Sequence, residues 1–264
     1  MNNWKKLAAA VILAGAVVII QGCGGNGEEA KSMEKGRVWK AATEAAYPPF
    51  RYVDENSNLM GFEVDLLKEI SRRTGATIEF RDMPFDRLLD AVAGKQVDMA
   101  IGAITVTKER EKLMAFSDSY YRLSGYSLLV KKGNPPVRNE EELAGKVVAA
   151  KRGSNSEARA IAQNTKEIIS MDHYEDIFKA LEAGKADVGI TGDQAALYEL
   201  EHGGSSRLSL SGTIPTEDNF AIALSKDNPQ LKKEINEALK SMMDDGTYDS
   251  LAHKWFFVKA ADKE

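Results

Sequence analysis

From Val38 to Phe257 the chain alternates between two hydrophobic periods. Short apolar or alternating runs predict strands at Val38 to Thr43, Thr77 to Phe80, Met99 to Ala103, Tyr126 to Val130, Lys146 to Ala150, Ile168 to Met171 and Ala221 to Leu224. Apolar residues at helical spacing predict helices between them. Gly61 to Thr74 is one, with Phe62, Leu66, Leu67 and Ile70 on a common face and Gly75 as its stop. Pro84-Phe85 opens a second, Asp86 to Ala93, which ends at Gly94. Others are predicted from about Glu157 to Gln163, from Tyr174 to Ala183 and from Gln194 to Glu201, with a short one closed by Leu143 to Gly145. Asn228 caps a long one with Pro229 at its first position; Leu231, Ile235, Leu239 and Met242 form its core face. Tyr248 to Phe257 is a last amphipathic segment. Regular alternation of strand and helix predicts an α/β, doubly wound architecture. The chain also echoes itself. Ala93-Gly94-Lys95-Gln96-Val97-Asp98-Met99-Ala100-Ile101 resembles Ala183-Gly184-Lys185-Ala186-Asp187-Val188-Gly189-Ile190 with one residue fewer, which suggests two lobes of similar construction.

The most informative stretch is Asp98 to Arg110, DMAIGAITVTKER. Its small and apolar residues suit a buried strand end where a ligand comes close. Thr105 offers a hydroxyl and Thr107 a helix-capping oxygen. A capping box would place Glu or Gln three residues after the cap, and this chain has Arg110. A cation in the first turn opposes the helix dipole, at a cost of roughly 0.3–1 kcal/mol. An arginine there suits a carboxylate, which it grips with two parallel N–H groups. Pairing with Glu109, Glu111 or Asp118 at the surface explains Arg110 equally well. Two further corners stand at predicted strand ends: Glu44 to Phe50, held extended by Pro48-Pro49 and carrying Tyr47, and Lys151 to Ser156, a Gly/Ser turn that starts a helix.

Composition narrows the functional classes. With 264 residues, 43% hydrophobic, the chain has enough material for two lobes. The formal net charge is −5 with charges interspersed, so nothing marks a nucleic-acid-binding face. His173, His202 and His253 lack metal-ligand spacing, and neither a nucleophile elbow, a zinc-protease motif nor a phosphate-binding loop occurs. No cofactor or metal is expected. Residues 1–22 read as a signal peptide: Lys5 and Lys6, then an apolar run from Leu7 to Ile20 too short for a convincing membrane span. Ile20-Gln21-Gly22-Cys23 resembles a bacterial lipobox, so Cys23, the sole cysteine, is expected to be lipidated; residues 23–36 then form a flexible tether.

In order and spacing, several motifs together resemble the extracytoplasmic solute-binding proteins of polar amino-acid ABC transporters. They are Ala42-Thr43-Glu44 with Tyr47-Pro48-Pro49-Phe50, Gly61-Phe62-Glu63-Val64-Asp65-Leu66, Ile104-Thr105-Val106-Thr107-Lys108-Glu109-Arg110, Phe116-Ser117-Asp118 with Tyr120-Tyr121, Gly145-Lys146-Val147-Val148, Gly153-Ser154 and Asp245-Gly246-Thr247-Tyr248 with Trp255-Phe256. The resemblance runs from about Arg37 to Phe257. It implies a two-lobed periplasmic-binding-protein-like fold of type II with two crossovers, residues 37–119 and 221–258 in one lobe and 125–216 in the other. It implies a cleft in which Arg110 holds an α-carboxylate, assisted by Thr105, by the main chain at Ala103 and Ile104 and, from the other lobe, by Ser154 and Asn155. Tyr47 and Phe85 would sandwich the ligand side chain, and Glu44 and Lys151 would meet its polar end. The implied partners are an amino acid, a transporter permease and the membrane to which Cys23 is anchored. The implied place is extracytoplasmic, and a monomer is expected.

Two departures bear on the ligand. The family usually has Asp at the position of Gly192, holding an α-ammonium, whereas here Asp193 follows one residue later; Asp193 is expected to take that role, the alternatives being that it caps the helix starting at Gln194 and that Glu217 or Asp218 at the crossover serves instead. Asn155 also stands where Gly or Thr is common. Lys151 argues against cationic side chains and Glu44 against acidic ones, which favours a neutral polar ligand such as glutamine. A dehydratase-like enzyme with Glu44 as general acid and an amino-acid-sensing module are the alternatives on the same fold.

Overall fold

The computed structural model describes residues 36–256. The signal peptide, Cys23, the tether up to Lys35 and Phe257 lie outside the described residues. Val38–Thr43 forms the strand around which the first sheet is assembled. It pairs in parallel with Thr77–Asp82 on one side and Met99–Ala100 on the other. Ala223–Leu224 and Ala115–Phe116 extend the sheet antiparallel, giving five strands. Neighbouring residues on each strand face opposite ways. Ala41, Met99 and Leu224 join Leu66, Leu67, Ile235 and Leu239 in one core, whereas Ala42, Ala100 and Ala223 join Phe85, Leu88 and Val92 in another. Helices thus cover both faces, as the near-continuous apolar character of these strands requires.

The second sheet repeats the plan. Val147–Lys151 lies between parallel Glu167–Met171 and Val188–Gly192, and Gly125–Lys131 and Leu208–Pro215 add antiparallel strands. Gly189 permits close packing here, since a Cβ on it would sit 2.7 Å from Ile177 Cγ2 and 2.9 Å from Leu181 Cδ1 of the helix Tyr174–Glu182. The chain crosses between the sheets twice, and the crossing segments pair with each other, Tyr121–Arg122 against Asn219–Phe220. This is the two-lobed α/β fold with two crossovers expected from the sequence.

Several elements differ in extent. The helix expected from Glu157 starts at Asn155 and ends at Ile161, because the Ser154 side chain accepts a hydrogen bond from the Glu157 N–H and caps it early. The short helix is a single 3-10 turn, Glu141–Leu143. The strand Leu208–Pro215 has no counterpart among the sequence expectations; a bulge between Leu210 and Gly212 breaks its alternation.

Candidate functional site

The C-terminal ends of the parallel strands of the two sheets face one another. Glu44 follows Val38–Thr43, the turn Gly102 to Thr105 follows Met99–Ala100, Lys151 ends Val147–Lys151, and Gly192 ends Val188–Gly192. Such strand ends are where open α/β sheets bind ligands.

Arg110 is the third residue of the helix Lys108–Leu113, and Thr107 caps it by accepting from the Arg110 N–H. The guanidinium turns back over the cleft. Its Nη1 donates to Thr105 O at 2.8 Å, and its Nη2 reaches the other lobe, donating to Gly153 O at 3.1 Å. Burial lowers its pKa from the ordinary value, while Tyr126, Tyr174 and Asp218 act in the opposite sense. Among the described residues, Arg110 forms no ion pair. The surface partners Glu109, Glu111 and Asp118 are not engaged by it.

A buried network supports the turn before Arg110. Glu63, from the helix Phe62–Thr74, pairs with Arg51 at 3.2 Å, accepts from Tyr120 OH and accepts the Ala103 N–H at 2.7 Å. This contact holds Ala103 at a φ of 51°. Ala103 therefore reaches a ligand only through its carbonyl or methyl group. Ile104 is fully buried, and its carbonyl accepts from Ala221 N. Thr105 is buried and bridges to Phe220 across the crossover.

Opposite them, Lys151 and Glu44 form a buried pair between the lobes, Nζ to Oε1 2.6 Å, with side chains 2% and 5% exposed. Lys151 also donates to Asp172 O and lies 5.9 Å from the centroids of both Phe85 and Tyr174. Glu44 Oε2 is buried without a hydrogen-bond partner. Asn155 Nδ2 donates to Asp218 Oδ2 at 2.6 Å, and Tyr126 OH donates to the same oxygen at 2.6 Å. Tyr47, Phe85, Ala103, Thr105, Arg110, Tyr126, Ser154, Asn155 and Gly192 line a cavity of about 20 Å³ here, roughly the room one water needs. Binding of anything larger requires the walls to move apart.

A family profile matches residues 39–258. The chain belongs to the bacterial extracellular solute-binding proteins, family 3. Among relatives of this extracellular solute-binding protein is a "Probable histidine-binding protein" of Neisseria gonorrhoeae, 29% identical, with 97% of each chain covered. A solved structure of an ancestral arginine-binding protein bound to glutamine is similar at a TM-score of 0.79 and 34% identity, covering 83% of this chain and 97% of that one. The ancestral amino-acid-binding protein AncCDT-1, described as a precursor of cyclohexadienyl dehydratase, is similar at a TM-score of 0.75 and 30% identity, covering 83% and 95%.

In this solute-binding protein most of the sequence-derived site residues converge on the cleft. Asp193 does not line its cavity. It is the first residue of the helix Asp193–Glu201, and its carboxylate is engaged by Ser124 Oγ, by Tyr121 OH at 3.4 Å and by the Gln194 N–H at 2.7 Å. At Gly192 itself there is no room for a side chain, since a Cβ would stand 2.6 Å from Tyr47 Oη. The Tyr47 hydroxyl lies against Gly192 and occupies that side of the cleft, and burial pushes its pKa up to about 12. Tyr47 and Phe85 both line the cavity, but Tyr47 stacks on Tyr174 with centroids 3.9 Å apart. Sequence reasoning missed Tyr174, Tyr126, Phe220, Arg51 and the site-supporting role of Glu63. The signal available for Tyr174 was its place at the start of a helix that follows a strand, the position Phe85 also holds.

Proposed function

We propose that the protein captures a polar amino acid with a neutral side chain, glutamine-like, and hands it to the permease of an ABC transporter. The observation that carries this reading is Arg110: a half-buried guanidinium without an ion pair among the described residues, whose two outer nitrogens converge on carbonyls from both lobes. A ligand α-carboxylate supplies the missing anion and would take over both N–H groups. Thr105, Ser154 and Asn155 stand beside it. The α-ammonium needs a carboxylate, since a buried unpaired ammonium is costly. We assign this role to Asp218 rather than Asp193: neither carboxylate lines the cavity itself, but Asp218 is held by the cavity residues Tyr126 and Asn155 and its field acts on Arg110. Glu44 and Lys151 offer an acceptor and a donor, which matches a side-chain amide. They also disfavour a cationic or acidic group, because each would meet a like charge. Lobes spanning residues 37–119 with 221–258, and 125–216, would close on the ligand.

Binding without turnover is part of the proposal, because Glu44, the candidate acid, is committed to Lys151. So is a lipid anchor at Cys23, which keeps the protein at the outer face of a membrane as a monomer. A thermal-shift screen of the twenty amino acids tests the reading. Stabilisation by glutamine without consumption is the expected result. No shift with any amino acid, or depletion of one, would overturn it.

A further inference from the structure

A second and much larger cavity, about 470 Å³, lies along the seam between the lobes beside the cleft. Its walls come from Ala45 to Pro48, Tyr52 and Val53 on one side and from His173 to Glu175, Phe178, Ala195, Tyr198 and Glu199 on the other. Its volume is that of a small-molecule site, whereas the cleft cavity at Arg110 holds roughly one water. Only Tyr47 and Tyr174 line both. Their stacked rings are therefore the partition between the two spaces. The two tyrosines are not equally fixed. Tyr47 is almost fully buried, with its ring stacked on Phe50 as well as on Tyr174 and the Arg51 guanidinium over its face. The Tyr174 hydroxyl has no hydrogen bond among the described residues, so its ring is held by stacking on Tyr47 and by the Lys151 ammonium 5.9 Å away. Tyr174 is also the first residue of its helix.

The outer cavity differs in chemistry from the cleft. Among its lining residues are the carboxylates of Glu175 and Glu199 but neither lysine nor arginine, and Tyr52, Phe178 and Tyr198 supply aromatic surface. The Glu199 carboxylate is half-buried, and its pKa is raised by that burial and by the neighbouring Glu182 and Glu175. Such a space suits a cation on an apolar stem.

We propose that Tyr174 is the stop that limits how long a side chain the site accepts, and that removing its ring joins the cleft to the outer cavity and admits long cationic side chains such as that of arginine. The inference rests on the amino-acid reading above for the placement of the α-carboxylate at Arg110. With the ring in place, a side chain ends at Lys151 and Glu44. Without it, the chain continues past Lys151 toward Glu175 and Glu199.

Calorimetry on the full-length chain with L-glutamine and L-arginine tests this, comparing wild type with Tyr174→Ala and Tyr174→Phe. The expected result is a shift of the arginine-to-glutamine affinity ratio toward arginine by roughly tenfold or more in Tyr174→Ala. Tyr174→Phe keeps the ring and is expected to keep the wild-type ratio. A ratio comparison within one variant is insensitive to a general loss of stability. Glu199→Gln added to Tyr174→Ala should reduce the gained arginine affinity. Arginine binding that appears only in Tyr174→Ala supports the stop even if wild type takes neither ligand, an outcome that would overturn the glutamine-like reading alone. Wild-type protein that already binds arginine as tightly as glutamine, or a Tyr174→Ala ratio equal to wild type, overturns the inference.

Discussion

Breaking the Lys151–Glu44 pair should have an asymmetric cost. The two side chains are almost fully buried and 2.6 Å apart. Lys151→Met leaves a carboxylate whose Oε2 already lacks a partner. Its other oxygen then keeps only His173 Nδ1 at 3.7 Å. Stranding one member of a buried pair costs about 3–5 kcal/mol. Glu44→Gln is milder. The ammonium retains Asp172 O, gains the amide oxygen as acceptor and keeps the ring faces of Phe85 and Tyr174. About 1–2 kcal/mol is expected for it. The double variant, Lys151→Met with Glu44→Gln, should lose no more than about 2–3 kcal/mol, because neither charge remains, so the coupling is about 2–4 kcal/mol. Urea unfolding followed by circular dichroism at neutral pH measures all four proteins, with equal slopes required for comparison. Burial shields the pair, so added salt should leave the differences in place. Equal losses for the two single variants, or a double variant equal to their sum, would refute the argument.

Three other outcomes follow from the site. Arg110→Ala should weaken binding of the preferred amino acid by about 2–5 kcal/mol, and Arg110→Lys should not restore it because the two-pronged geometry is lost; unchanged affinity by calorimetry in both variants would remove Arg110 from the site. Alkaline pH should destabilise the fold: the buried Tyr47 hydroxyl titrates at about 12, so between about pH 10 and that value the unfolded chain releases a proton the native state keeps, stability falls as pH rises, and Tyr47 alone contributes about 2–3 kcal/mol of the loss. Urea midpoints that stay level across this range would contradict its burial. Gly192→Ala should destabilise by about 1–3 kcal/mol through the contact with Tyr47 Oη, and Tyr47→Phe in the same chain should recover part of that loss by removing the hydroxyl; a double variant no more stable than Gly192→Ala would place the strain elsewhere.

The local features were legible in the sequence because their causes are local. The helix Phe62–Thr74 follows from a 3.6-residue apolar period and a glycine in the left-handed conformation at its end. Arg110 stood out because a cation after Thr107 contradicts helix-start chemistry, and the structure shows Thr107 capping that helix while the guanidinium turns into the cleft. The repeated Gly-Lys turn before Met99 and Val188 foreshadowed two sheets of similar plan. The strand Leu208–Pro215 escaped because a bulge and a glycine interrupt its period, and only pairing with Gly125–Lys131 defines it.

What the tertiary structure decided concerns partners far apart in the chain. Glu44 and Lys151, 107 residues apart, were each placed near the ligand by resemblance, but their pairing with one another depends on how the lobes meet. The placement of the Asp193 carboxylate has the same origin: Tyr47 fills the space beside Gly192, and Ser124 and Tyr121 on a crossover segment engage that carboxylate. Tyr174 reads in sequence as an ordinary helix start, and becomes the wall between two cavities only because Tyr47, from the other lobe, stacks against it. Periodicity and capping are set within a few residues, whereas the occupancy of a cleft is set by which side chains two separate sheets bring to the same place.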